Sequence, residues 1–256
     1  MDEQTFHTRR LSFGGVAGSY DRVRPSYPEA AVRWIVGDAP VRVLDLGAGT
    51  GLLSRVLLGL GHEVIAVEPD PRMRARCADA TPDATVLAGS AEAIPLPDGS
   101  VDGVVAGQSY HWFAGTAAHA EIARVLRPGG VFGPLWNLRD ESVEWVARLS
   151  ALVSREDGSA HQGPLAADAF GGAFGPVDGA VFRHARRHTI ESLVELVRSR
   201  SYVLTAPSAR REQIEAGVRA LAAELPEPFD LPYVTRAYRA RLARRPRARA
   251  RAKEQR

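Results

Sequence analysis

The chain has 256 residues, 45% hydrophobic and 25% charged, the ordinary balance of a folded globular protein and enough for one full core. Its single cysteine, Cys77, excludes a disulfide framework and a cysteine-rich metal site. The net charge of +3 is uneven: from Arg236 onward ten Lys or Arg face one acid, Glu254, which leaves the body mildly acidic and without the footprint of a nucleic-acid-binding domain.

The first residues, MDEQTFHTRRLSFGG, are basic but lack the apolar core of a signal peptide, and no stretch approaches a membrane span, so a cytoplasmic protein is expected. Residues 13–37 read as helical. In them Tyr20, Arg24 and Tyr27 surround Pro25 and Pro28, and a helix starting near Pro28 carries Ala31, Trp34 and Ile35.

The stretch VRVLDLGAGTGLLSRVLLGLG, residues 41–61, organises the chain. An apolar run ending at Leu46 reads as a buried parallel strand, glycines follow at 47, 49 and 51, and a helix-compatible segment comes next. Such a turn brings bare backbone up to a ligand, because glycine has no side chain in the way. A dinucleotide turn needs G-x-G-x-x-G/A, and Leu52 stands where its third small residue belongs. No Lys or Arg lies between Gly47 and Ser54 to meet phosphate, while Asp45 at the strand end suits a positively charged ligand. Glu68 closes the next apolar run (64–67), about 20 residues beyond the glycines, the distance at which a carboxylate accepts ribose hydroxyls. Adenosine without phosphate, together with a cation, points to S-adenosyl-L-methionine.

A helix capped by Asp70 starts at Pro71, and a short third strand covers 84–88. GSAEAIPLPDGS is a loop broken by Pro95, Pro97 and Asp98-Gly99. A fourth strand at 101–106 carries GQSYHWF on its C-terminal end, the place where open α/β sheets bind ligands. Gln108 can hold the cofactor's methionine part. Trp112 and Phe113 offer aromatic faces to a sulfonium, with core packing an equal reading for Phe113. His111 is either a general base or a histidine that shapes the pocket. A helix over Thr116–Val125 closes at LRPGG, and residues 131–136 form the fifth strand, from whose end Trp136 and Asn137 face the cleft. Residues 138–179 form an insertion with one helix, Ser142–Ser154. The sixth strand spans Val181–Ile190, helices cover Glu191–Ser201 and Ser208–Glu224, and the last strand, Asp230–Ala243, inserts antiparallel. His184 and His188 share a strand face, yet no ligand cluster has metal-site spacing. The closing residues, 243–256, read as a solvated, poorly ordered basic end.

The order VLDLGAGTG, VIAVEPDPRM, GSAEAIPLPDGSVDGVVAG, LRPGG resembles class I S-adenosylmethionine-dependent methyltransferases over residues 13 to about 242. FGGVAGSYDRVRPSYP and GQSYHWF resemble the branch around trans-aconitate methyltransferase. The resemblance implies a Rossmann-like, doubly wound, seven-stranded, mostly parallel sheet with an antiparallel last strand, a lid made by residues 13–37, and an acceptor pocket built by the insertion. It implies that Tyr20, Arg24, Asp45, Gly47, Ala48, Gly49, Thr50, Gly51, Glu68, Pro69 and Gln108 hold the cofactor. Ser90, Ala91 and Glu92 fall where the family reads adenine; many relatives carry aspartate where Ser90 stands. Arg24 is the candidate for the methionine carboxylate. Tyr27, Trp112, Trp136 and Asn137 are expected on the acceptor side, with His111 as the catalytic candidate. The expected acceptor is a small molecule methylated on a carboxylate or hydroxyl oxygen, by a monomer or homodimer, leaving S-adenosyl-L-homocysteine. RNA or protein methylation and cofactor binding without catalysis are the alternatives. The [DNS]-P-P-[YFW] signature of base amino-group methylation is missing after the fourth strand.

Overall fold

The computed structural model describes residues 23–113, 115–153, 165–204 and 206–243. Seven strands form one sheet: β1 (Arg42–Leu46), β2 (Glu63–Val67), β3 (Thr85–Leu87), β4 (Val101–Gly107), β5 (Leu126–Arg139), β6 (Asp178–His188) and β7 (Phe229–Arg241). Their order is β3-β2-β1-β4-β5-β7-β6. β1 to β5 pair in parallel, whereas β7 runs antiparallel between β5 and β6, as the sequence leads one to expect. The chain winds outward in both directions from β1 and β4, so a crevice opens where the carboxyl ends of these two strands diverge.

The apolar runs of the inner strands follow from burial on both faces. Val43 and Val105 turn to one side, packing with Ala31, Ile35, Leu53 and Leu57 of helices α1 (Glu29–Val36) and α2 (Leu52–Gly59). Leu44, Leu46, Val104 and Phe132 turn to the other, against Ile122 and Val125 of α4 (Thr116–Val125) and against Phe170 and Phe174. A third cluster lies over β7, where Leu231 and Tyr233 meet α5 (Glu144–Val153), α6 (Ile190–Arg198) and α8 (Ser208–Ala222), with the short α7 (Ser201–Leu204) between the last two. Helix α3 (Pro71–Ala80) has the expected cap: Asp70 Oδ1 accepts from the backbone N–H of Arg72 and Met73, and Pro71 occupies the first turn.

Two expectations change. Residues 24–28 are not helical, because Pro25 and Pro28 remove two donors and push their predecessors toward extended backbone; the rest of the expected lid, 13–22, lies outside the described residues. The fifth strand begins at Leu126 rather than at 131, with LRPGG as its bulged start: Leu126 pairs with Val101, and the register shifts before Gly103 pairs with Val131. The described part of the insertion packs into two cores, through Val146 and Leu149 on one side and Phe170 and Phe174 on the other. Among the described residues no helix is long and apolar enough to cross a membrane, and no group of three His, Cys, Asp or Glu could hold a metal ion. Of the basic residues from 236 onward, Arg236, Arg239 and Arg241 belong to β7, and Arg239 lies 4.2 Å over the Trp34 ring; residues 244–256 lie outside the described part.

Candidate active site

The crevice at the carboxyl ends of β1, β2 and β4 is an open cleft. Its floor is the turn after β1, where Gly47, Gly49 and Gly51 all have positive φ (72°, 59° and 80°), conformations that any other residue adopts only under strain. The three positions are glycine for different reasons. A Cβ on Gly47 would stand 2.7 Å from Ser109 Cβ, and one on Gly51 would stand 3.0 Å from Cys77 Sγ; one on Gly49 would meet nothing within 4 Å. Gly49 is therefore where backbone lies bare to the cleft. Gly51 faces helix α3 and is absent from the cleft wall, a correction to its expected cofactor contact.

The turn does not present a row of free donors. Gly47 and Ala48 N–H both donate to Val67 O, Gly51 N–H donates to Ala48 O, and Gly49 N–H donates to Glu68 Oε2 at 2.9 Å. Glu68 Oε1 accepts from Asp70 N–H at 2.9 Å, so this carboxylate locks the end of β2 to the glycine turn.

Asp45 is 1% exposed. Its Oδ2 accepts from Ser54 Oγ at 2.6 Å, and its Oδ1 has no hydrogen-bond partner among the described residues. Burial raises the pKa from 3.8 to about 7; the Ser54 hydrogen bond opposes this and the charge of Glu68 adds to it. A buried, orphaned carboxylate oxygen beside a cleft calls for a cation or a donor.

At the other end Gln108 has φ 57°, among the described residues the one non-glycine with positive φ. Its N–H donates to Leu135 O and its Nε2 to Asn137 O, both at 2.9 Å, which pins the side chain across β5. Its Oε1 is left as the acceptor at the wall. Strain held at a strand end of this kind commonly marks a ligand site. Tyr27 lies against the backbone of Gly107, where a Cβ would meet its Oη at 2.7 Å. Trp112 and Phe113 complete this end.

Of the expected residues, Tyr27, Asp45, Gly47, Ala48, Gly49, Thr50, Glu68, Pro69, Ser90, Ala91, Gln108 and Trp112 line the cleft together. Six others do not. Tyr20 lies outside the described residues. Glu92 is exposed, beyond the wall. Arg24 is buried elsewhere: its Nε and Nη2 donate to Ser199 Oγ and O at 3.3 and 3.0 Å, drawn there because this end of α6 supplies acceptors. Trp136 turns into the core between Tyr110 and Tyr238, with ring centroids at 6.0 and 5.9 Å, since odd and even residues of β5 face opposite ways. Asn137 is a structural knot: its Nδ2 donates to Pro25 O and Ser26 O, and its Oδ1 accepts from Thr235 Oγ1 at 2.6 Å. His111 stacks obliquely on Trp112 at 4.8 Å but is exposed and stands off the wall. Protein crowding lowers its pKa, while water at its exposed edge limits that effect.

The wall also contains Asp70, Met73, Gly89, Gly107, Ser109 and Phe113. Ser109 Oγ donates to Leu46 O at 2.7 Å and staples the ends of β1 and β4 together. Its position next to Gln108 at the end of β4 is the only sequence signal it offered. Met73 follows the Asp70 cap by three residues, and nothing in the sequence sets it apart from a core methionine.

Residues 44–133 match the methyltransferase domain family. An uncharacterised methyltransferase of Mycobacterium tuberculosis is 41% identical over 251 residues, covering 91% of this chain and 96% of that protein. An uncharacterised methyltransferase-like protein of Schizosaccharomyces pombe is 35% identical over 234 residues, 88% of this chain and 89% of its own. The malonyl-[acyl-carrier protein] O-methyltransferase of Methylococcus capsulatus is 36% identical over 132 residues, 47% of this chain and 48% of that one. Among solved structures, an Anaeromyxobacter dehalogenans protein provisionally described as a type II methyltransferase matches with TM-score 0.65 at 24% identity, over 87% of this chain and 99% of that one, a likeness of fold.

Proposed function

The chain belongs to the class I S-adenosylmethionine-dependent methyltransferases, and from that premise we propose that it methylates an oxygen, carboxylate or hydroxyl, of a small molecule. The observation that carries the cofactor assignment is the orphaned Asp45 Oδ1 beside the bare backbone of Gly49, between Glu68 and Gln108. A dinucleotide would need a phosphate partner, and among the described residues no Lys or Arg lines the cleft. The residues fit S-adenosyl-L-methionine: Glu68 for the ribose hydroxyls, Ser90 and Ala91 for the base, Gln108 Oε1 and Asp45 for the positively charged methionine end. The aromatic face of Trp112 attracts a cation by about 0.5–2 kcal/mol, depending on desolvation.

The cofactor, when bound, supplies a methyl group on a sulfonium whose sulfur leaves neutral. The protein's own part is alignment and exclusion of water. Tyr27, Gln108 and Trp112 confine the methyl end from three elements, and orienting two reactants in this way can contribute roughly 7–11 kcal/mol. A carboxylate acceptor asks for no base, and among the described residues the wall holds no histidine or lysine. For a hydroxyl acceptor His111 remains the candidate base, from its place beside Trp112. The partial likeness to malonyl-[acyl-carrier protein] O-methyltransferase supports oxygen as the acceptor atom. The branch around trans-aconitate methyltransferase and a cytoplasmic monomer or homodimer complete the reading.

A radiolabelled-methyl screen of the full chain over carboxylic acids, phenols and RNA tests it. Label on a small acid or phenol is the expected result. Label on RNA alone, or S-adenosylhomocysteine binding without turnover on any acceptor, overturns it.

A further inference from the structure

Outside the cleft, basic side chains gather around one buried tyrosine. Tyr233 of β7 is 1% exposed and pairs in register with Arg139 of β5 and His184 of β6, so the three project from one face of the sheet. The His184 ring stacks on the Tyr233 ring at 5.5 Å, and Tyr233 Oη has no hydrogen-bond partner among the described residues. A buried hydroxyl left unpaired is destabilising and uncommon.

The surroundings of this hydroxyl are cationic. Arg139 Nε donates to Ser150 Oγ at 2.9 Å, Arg24 is held by Ser199, and Arg186 Nη1 donates to Arg24 O at 2.7 Å, so loop, helix and strand all bring guanidinium groups to the same region. Arg200, partly buried at the end of α6, makes no side-chain hydrogen bond or ion pair among the described residues. The charges of Arg200, Arg139, Arg24 and Arg186 all act on the phenol, against the burial that raises its pKa.

The cluster adjoins the methyl end of the cleft. Gln108 donates to Asn137 O, and Asn137 Oδ1 lies 3.3 Å from His184 Nε2. Arg139 follows two residues later, about 7 Å along the strand. We propose that Tyr233, Arg139 and Arg200, backed by Arg24 and Arg186, anchor an anionic group of the methyl acceptor, a carboxylate or a phosphate separated by several bonds from the methylated oxygen. The Tyr233 hydroxyl and the Arg200 guanidinium donate to that anion, and such charge-assisted hydrogen bonds are the strong kind. The proposal rests on the methyltransferase reading for the anion's identity as acceptor, and not for its binding.

Calorimetry on the full chain, free and loaded with S-adenosylhomocysteine, decides it with succinate, tricarballylate, glycerol phosphate and neutral succinamide as probes. At least one anion binds and succinamide does not, and which anion binds separates carboxylate from phosphate. Tyr233→Phe and Arg200→Gln each weaken anion binding about tenfold without changing affinity for S-adenosylhomocysteine. Tyr233→Phe without ligand melts at or above the wild-type temperature, because it deletes an unpaired hydroxyl. Binding of no anion, binding unaffected by both substitutions, or a lower melting temperature for Tyr233→Phe overturns the anchor. Failure of S-adenosylhomocysteine to bind overturns the cofactor assignment alone, since anion binding to the free chain is read separately.

Discussion

Gly49 N–H donates to Glu68 Oε2 at 2.9 Å, so the carboxylate proposed to take a ribose is also the clasp that shapes the glycine turn. Removing it takes away ligand contacts and preorganisation together. Glu68→Ala is expected to weaken S-adenosylhomocysteine binding more than tenfold, and Glu68→Gln less, because the amide oxygen still accepts one hydrogen bond. Calorimetry that finds both variants within twofold of wild type excludes Glu68 from the site.

The raised pKa of Asp45, about 7, has two consequences. A cation bound beside it favours the carboxylate, so cofactor affinity rises with pH between about 6 and 8 and binding releases a proton. In the empty protein the sign is opposite for stability. The folded pKa lies above the unfolded value, so the group's contribution is fully present below about pH 4 and is lost as pH rises through 7. The loss is at most about 4 kcal/mol by the usual 1.4 kcal/mol per unit. Asp45→Asn flattens both profiles and weakens binding at least tenfold at pH 8. Denaturant melts across this range, compared between the two proteins, check the stability half; a slope retained in Asp45→Asn assigns it to another group.

Gly47→Ala and Gly49→Ala separate structural from binding roles within one turn. Both add a side chain at positive φ, which costs about 1–2 kcal/mol. Only Gly47→Ala also drives a Cβ to 2.7 Å from Ser109, so it is the more destabilising of the two by thermal melting. Gly49→Ala folds with the smaller loss yet narrows the cleft floor, and its cofactor affinity drops by the larger factor.

Asn137→Ala is a stability variant. It strips partners from Pro25 O, Ser26 O and Thr235 Oγ1 at a residue 4% exposed, for an expected loss of about 2–4 kcal/mol in urea unfolding. A change under 0.5 kcal/mol contradicts the knot described above.

His111→Ala leaves cofactor affinity unchanged, since the imidazole stands off the wall. Turnover within about threefold of wild type on the acceptor identifies a carboxylate; a loss of 100-fold or more, with the acidic limb missing from the pH–rate profile, identifies a hydroxyl and His111 as its base.

The sequence by itself determined the sheet, the parallel-then-antiparallel order and the glycine turn with the carboxylates beside it. These rest on local rules: apolar runs of strand length, a Pro after an Asp cap, and glycines where the turn requires positive φ. Asp45, Gly49 and Glu68 were legible because they lie within 25 residues of one another, on adjacent parallel strands joined by a single helix. Arg24, Trp136 and Asn137 were misplaced because side-chain direction depends on partners far along the chain: Ser199 for Arg24, Tyr238 for Trp136 and Thr235 for Asn137. Only the tertiary structure decided which residues surround Tyr233. There β7, inserted between β5 and β6, brings Tyr233 beside Arg139 and His184, and no sequence spacing encodes a pairing between strands about fifty to one hundred residues apart.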